Sequence, residues 1–426
     1  MKKLAVLIYF IFINIISFGE YQFPFKNPNM ATIFGSSTLM VEGVSKNIPR
    51  EEYRIKLPWA KPVEEHFWYN EGFKFSLVSQ KNKAPLIFLL AGTGSAHNSI
   101  RMENFQRIFY DAGYHVVSIS SPMNSNFVIN GSRERMPGII VDDCQDIYDI
   151  MKEIDKKIAN KVEVSDYYLV GYSLGGTEAG IISYIDESEK KFNFKRVFMI
   201  NPAVDLYSSA LKLDGYLDFP KEERAEKIHK MIENIIDTVV SNTLPEYSSI
   251  DVETIFRIFS KQELSDKEMQ QLIGGAFRIS SIDLNYIADV INNRGVYVKE
   301  PVGKFTPMFE NFKKVNFATF EEYIDNIALP YYQERLGKEI TLEDLLVKAR
   351  LNYIEEYLKN SDKIVAVTNA DELILNEDDF KFLKETFKDR LIIYPYGGHC
   401  GNMYFPTNVK VMLDFLEKGE LNYENK

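Results

Sequence analysis

Cysteine is almost missing from this 426-residue chain, which holds only Cys144 and Cys400. Two thiols cannot make a disulfide scaffold, so the fold must stand on its apolar core. Histidine is nearly as scarce, at five residues, and no Cys/His cluster has metal-ligand spacing. No metal and no other cofactor is therefore expected. Positive charge is in deficit: the formal net charge is −11 and no basic stripe occurs, which argues against nucleic acid and against electrostatic docking on anionic lipid. Internal repeats and low-complexity tracts are absent. Beyond Phe18 no long uncharged apolar run appears, so no stable membrane span is expected after the first residues.

What is present is a globular composition, 45% hydrophobic and 13% aromatic, with 30 Phe and 25 Tyr. The opening "MKKLAVLIYFIFINIISFGE" has two lysines, an apolar centre from Leu4 to Phe18, and small residues Ser17 and Gly19. That order reads as an export signal, residues 1–19, cut before Glu20; a retained anchor is the other reading. The mature chain is then expected outside the bacterial cytoplasm, periplasmic or secreted.

Residues 20–65 are irregular and proline-containing, with strand-like pieces in or just after them: "ATIFGS", "EYRIKL" and "FKFSLVS". From about residue 84 the rhythm changes. "PLIFLLAG", "HVVSISS", "YYLVGYS" and "RVFMINP" are short apolar runs separated by helix-like stretches such as 140–160. This is the pattern of parallel strands covered on both faces by helices. A core segment 66–205 is followed by a block, 206–355, with many helix signals and almost no strand signal. Ala225, Ile228, Ile232, Ile235 and Val239 keep helical spacing there, "SDKE" and "TFEE" are capping boxes, and Thr341 opens a helix whose apolar face runs through Leu342, Leu345, Ala349, Tyr353 and Tyr357. "DKIVAVTNADE" and "DRLIIYPYGGHCG" then restore the strand–loop pattern across 356–426, with a helix at 377–388 between them.

The chemistry-bearing stretch is "LVGYSLGGTEAG". Gly171 and Gly175 flank Ser173 between a strand and a helix, a turn that exposes the serine hydroxyl above the carboxyl end of the sheet. A serine needs a base, and His399 in "YPYGGHCGN" follows the last strand on a glycine-flanked loop. His66, His115 and His229 read as structural or solvated; His97 either shapes the pocket or caps the next helix. For the group that orients the imidazole, Asp371 follows "KIVAVTNA" and is favoured, with adjacent Glu372 and the earlier Asp205 as alternatives. An oxyanion site needs N–H donors. Leu174, next after the serine, and the loop "LLAGTGSAHNS", with Gly92 and Thr93, are the candidates. That loop has no lysine and no phosphate-loop pattern. Cys400 reads as a small buried filler.

With "GYSLGG", "AGTG", "NAD" and "GGHCG" in this order, the chain resembles the α/β-hydrolase superfamily over roughly 66–205 and 356–418. The resemblance implies an α/β fold: a mostly parallel sheet, helices on both faces, and a large helical cap inserted between the sixth and seventh core strands. It also implies a Ser173–His399–Asp371 triad working through an acyl-enzyme. The oxyanion loop lacks the "HGGG" form of some esterases. The implied substrate is a small-molecule carboxylic ester, with thioester or amide as neighbouring options on the same triad. A haloperoxidase or acyltransferase on this fold, or a non-catalytic binding protein on a hydrolase scaffold, is the alternative; loss of a triad member would mark the last, and none is missing. Phe305, Phe309, Phe312, Phe317 and Phe320 crowd one stretch of the cap, either as helix packing or as a pocket or lid lining.

Overall fold

A computed structural model describes residues 21–36, 43–217, 264–307 and 318–421, with 219, 220, 223, 224, 226–228, 230, 233, 311, 315 and 423. The expected signal 1–19 lies outside the described residues, as do His229, Phe309, Phe312, Phe317 and, of the helical stripe, all but Ile228.

The apolar runs become strands: β1 (Arg50–Ile55), β2 (Phe73–Val78), β3 (Ala84–Leu90), β4 (His115–Ile119), β5 (Val164–Tyr172), β6 (Arg196–Ile200), β7 (Ile364–Asn369) and β8 (Leu391–Tyr394). They form one sheet in the order β1-β2-β4-β3-β5-β6-β7-β8. β2 runs antiparallel to both neighbours, and every pairing from β4 to β8 is parallel. This is the sheet that the resemblance to α/β-hydrolases implies. The central strands are apolar on both faces because both are covered; β7 is buried at every position. The exposed edge strand β1, "REEYRI", is charged instead, which discourages edge-to-edge pairing.

The helices are α1 (Pro28–Phe34), α2 (Ile100–Asp111), α3 (Ser125–Asn130), α4 (Ile140–Ile158), α5 (Leu174–Glu189), α6 (Leu206–Gly215) and α7 (Asp266–Ile291). Then come α8 (Phe320–Tyr323), α9 (Leu329–Leu336), α10 (Leu342–Leu346), α11 (Glu355–Asn360), α12 (Glu377–Phe387) and α13 (Pro406–Lys418). On one face of the sheet, α2 and α13 bury Met102, Phe105, Val411 and Phe415 against Ile87, Leu89 and Val170. On the other, α4, α5 and α12 bury Ile147, Ile182 and Leu383 against Phe88 and Leu169. Each such side chain contributes about 1.5–3 kcal/mol of burial. Among the described residues no helix is long and apolar enough to cross a membrane.

The helical insertion leaves the sheet after β6 and rejoins it before β7. Its stem is closed by Asp205, whose carboxylate pairs with Arg350 Nε at 2.6 Å, while Leu351 N donates to Val204 O. Inside it, α7 begins with the Ser265/Glu268 capping box, and the buried Arg278 of α7 pairs with Asp214 of α6 at 2.7 Å. The other oxygen of Asp214 accepts from Phe320 N, so one carboxylate ties three helices. Breaking a buried pair by removing one partner costs about 3–5 kcal/mol, since the survivor is left uncompensated.

Two expectations fail. "ATIFGS" is not a strand: Asn27 accepts hydrogen bonds from Asn29 N and Met30 N, Pro28 takes the first turn, and α1 follows. The helix expected from Thr341 through Tyr357 is broken, because Arg350 is extended (φ −121°, ψ 143°) to reach Asp205. The demand of the stem overrides the 3–4 spacing.

Candidate active site

Ser173 sits at the turn from β5 into α5 with φ 55° and ψ −126°, a region that non-glycine residues seldom occupy and that costs about 1–3 kcal/mol. Two features hold it there. Its N–H donates to Ile200 O at 2.8 Å and its C=O accepts from Gly176 N at 2.9 Å. The flanking glycines let backbone touch backbone: a Cβ on Gly171 would stand 1.9 Å from Gly175 O, and one on Gly175 would stand 2.5 Å from Leu90 O.

His399 Nε2 lies 2.8 Å from Ser173 Oγ, and its Nδ1 lies 2.9 Å from Glu372 Oε1. A carboxylate only accepts, so Nδ1 carries the proton and, in the neutral ring, Nε2 faces the serine as an acceptor. Burial works against the imidazolium, but the Cys400 sulfur and the Glu372 carboxylate beside the ring more than offset it. The histidine pKa is thus held well above its ordinary value.

The carboxylate paired with the imidazole is therefore that of Glu372, not the expected Asp371. Asp371 faces the backbone of the histidine loop, where its Oδ1 accepts from Gly397 N and Gly398 N, both at 2.9 Å. Asp205 is spent on capping α6 and on Arg350. The extra methylene of glutamate lets the residue after Asp371 span from the end of β7 to the imidazole. Glu372 is itself fixed: Oε1 accepts from Leu373 N at 2.9 Å, and Oε2 accepts from Asn201 Nδ2 at 2.6 Å. Asn201 follows β6, is 2% exposed and has φ 45°. Nothing in the sequence singled it out.

The histidine loop is clamped from the N-terminal side. His399 N donates to Thr32 Oγ1 at 2.8 Å, and that hydroxyl donates to Pro28 O. α1 lies so close that a Cβ on Gly401 would stand 2.1 Å from Ala31 O. Asn369 Nδ2 holds Gly398 O at 2.7 Å, and Asn402 bridges Asn369 to the Tyr21 hydroxyl. The segment that the sequence left irregular is thus part of the site.

Of the oxyanion candidates, Leu174 is the first residue of α5, a position whose N–H has no acceptor within the helix. Gly92 packs on Tyr172 and Ser173, where a Cβ would stand 2.7 Å from the Tyr172 ring. Thr93 lines the space in front of Ser173 and His399. His97 neither lines that space nor caps a helix: Ser99 caps α2, while His97 Nδ1 pairs with Ser76 Oγ at 2.6 Å. Burial lowers the His97 pKa to about 4, so it stays neutral. His66 bonds the Tyr286 hydroxyl, and His115 Nδ1 accepts from Gln80 N. Cys400 is buried, with its sulfur 3.8 Å from His399 Nε2. Phe320 is packed in the core, and Phe305 is 89% exposed. Among the described residues no cluster of three or more His, Cys, Asp and Glu is placed to hold a metal ion.

No protein-family model matches the chain, and no curated protein matches it in sequence. Solved structures do. An acylaminoacyl peptidase of Pyrococcus horikoshii is similar at 11% identity and TM-score 0.43, over 89% of this chain and 43% of that one. This chain thus spans under half the length of that peptidase. A hyperthermophilic esterase from Pyrobaculum calidifontis is similar at 11% identity and TM-score 0.42, over 92% of each chain. The peroxisomal α-β-hydrolase Lpx1 of Saccharomyces cerevisiae is similar at 10% identity and TM-score 0.39, over 90% of this chain and 93% of that one.

Proposed function

We propose that this chain, an α/β-hydrolase by its strand order and its strand–serine–helix turn, is a serine hydrolase that cleaves a carboxylic ester through an acyl-enzyme. The observation that carries the reading is the relay Ser173–His399–Glu372, with contacts of 2.8 and 2.9 Å. Ser173 Oγ attacks the ester carbonyl while His399 Nε2 takes the hydroxyl proton. Glu372 keeps the ring in the right tautomer and stabilises the imidazolium. The N–H groups of Leu174 and Thr93 serve as donors to the oxyanion. The intermediate collapses, the C–O bond to the alcohol breaks, and the alcohol departs with the proton from Nε2. Water then repeats the sequence on the acyl-enzyme and releases the acid. The cavity beside Ser173 is walled largely by apolar side chains, Ile33, Leu213, Leu272 and Phe277 among them, which supports a substrate with an apolar group beside the scissile bond.

Purified protein should be labelled by a fluorophosphonate probe and should cleave p-nitrophenyl esters. Ser173→Ala should abolish labelling and lower turnover by about 10³-fold or more. A folded protein that resists the probe overturns the reading. Export belongs to the same proposal: N-terminal sequencing of the secreted or periplasmic protein should begin at Glu20, and a soluble cytoplasmic form retaining Met1 would refute it.

A further inference from the structure

Ser173 stands between two spaces of very different size. On one side is an open chamber of about 320 Å³, reaching Ile33, Arg101, Leu272, Ala276 and Ser280. On the other is a slot of about 20 Å³ under the insertion, lined by Met123, Ala203, Leu206, Ala210, Phe320 and Ile374. Both spaces touch Thr93, Ser173, Leu213, Phe277 and His399. Leu213 of α6 and Phe277 of α7 thus form the partition. A space that holds one water needs roughly 10–15 Å³ on this measure, so the slot accepts one or two carbon-sized groups beyond the carbonyl.

Resting on the hydrolase reading, we infer that the enzyme is a short-acyl esterase: the slot takes an acetyl- or propionyl-sized acyl group, and the chamber takes a bulky apolar alcohol. The order of departure decides which arm goes where. After acylation the alcohol leaves while the acyl group stays on Ser173 Oγ, and water must then arrive. An alcohol seated in the slot would be trapped behind an acyl chain filling the chamber. An alcohol in the chamber leaves directly to solvent and vacates the path that water uses. Carbonyl, leaving group and proton follow the ester cleavage given above, with no further reactant.

The test is a set of p-nitrophenyl acetate, butyrate and octanoate together with acetate esters of phenol and 2-naphthol, leaving groups alike in acidity and different in bulk. The wild type should lose at least about tenfold in kcat/KM from acetate to octanoate, because overfilling a packed wall is costly. It should favour 2-naphthyl acetate over phenyl acetate. Phe277→Ala joins slot and chamber and should raise the octanoate-to-acetate ratio at least about tenfold. If that variant does not fold, Leu206→Ala deepens the slot from its far wall and should raise the butyrate-to-acetate ratio. Wild-type octanoate turnover equal to acetate overturns the inference, as does an unchanged ratio in a folded variant. Probe labelling separates the cases: a labelled enzyme with long-acyl preference refutes only this inference, whereas an unlabelled folded one refutes the hydrolase reading itself.

Discussion

Ser173 and His399 face each other across 2.8 Å, yet opposite means put them there. The serine is placed by backbone: a strand end, a helix start and two glycines beside it, with Ile200 O accepting from its N–H and Leu90 packed on Gly175. The histidine is placed by side chains from far along the chain, Thr32 and Glu372, with Asn201 behind the glutamate. A side chain placed by backbone contacts does not depend on the identity of the side chains around it. One placed by other side chains depends on each of them, so the two halves of the proposed relay should respond differently to substitution.

The sharpest break of that contrast lies at the acid. Glu372→Gln should lower kcat/KM by about 10³–10⁴-fold, the scale seen when the partner of a catalytic imidazole loses its charge. Asp371→Asn keeps an oxygen acceptor for Gly397 N and Gly398 N and should stay within about tenfold of wild type. Equal losses would return Asp371 to contention. Glu372→Gln also carries a pH signature. The base works only as neutral imidazole, so activity falls as pH drops through the raised His399 pKa. Removing the carboxylate lowers that pKa, and the acidic limb of kcat/KM should move to lower pH.

Asn201→Ala should cost less, about 10–100-fold, by freeing Glu372 Oε2 while leaving its charge. Its distinguishing readout is an altered acidic limb in a protein that remains folded at the assay temperature; a loss of activity with the limb unmoved would leave Asn201 a merely structural residue. Thr32→Val is the mildest: it removes the acceptor for His399 N and should slow turnover about three- to tenfold, with Thr32→Ser restoring it. No effect would show that the Thr32 hydroxyl is dispensable beside the loop contacts of Asp371 and Asn369.

What was legible in the sequence follows the same division. The succession of strands and helices along the chain, the glycine-flanked serine and the late histidine rest on short-range patterns, such as apolar runs, 3–4 spacing and turn glycines. Glu372 was visible only as a neighbour of Asp371, since the choice between adjacent carboxylates depends on which one the end of β7 aims at the ring. Asn201 and Thr32 gave no signal, because an asparagine before a proline and a threonine in an irregular segment acquire their meaning only when the chain brings residues more than a hundred positions away against them. The short α1 was misread for a related reason: its β-branched residues suggest a strand, and the capping Asn27 decides otherwise.

The Asp205–Arg350 clasp has a consequence for how such a molecule can change over generations. Because the insertion departs and returns at neighbouring positions, the spacing of β6 and β7 does not depend on its length. A turn of about two to four residues across that point would close the same gap. The limit on such an exchange lies elsewhere: Asp266 of α7 holds Asn27 at the start of α1, and Ser209 and Lys212 of α6 hold the backbone of Ile374 and Leu375, so a lineage that replaces the insertion must also replace what it lends to the histidine loop and to Glu372.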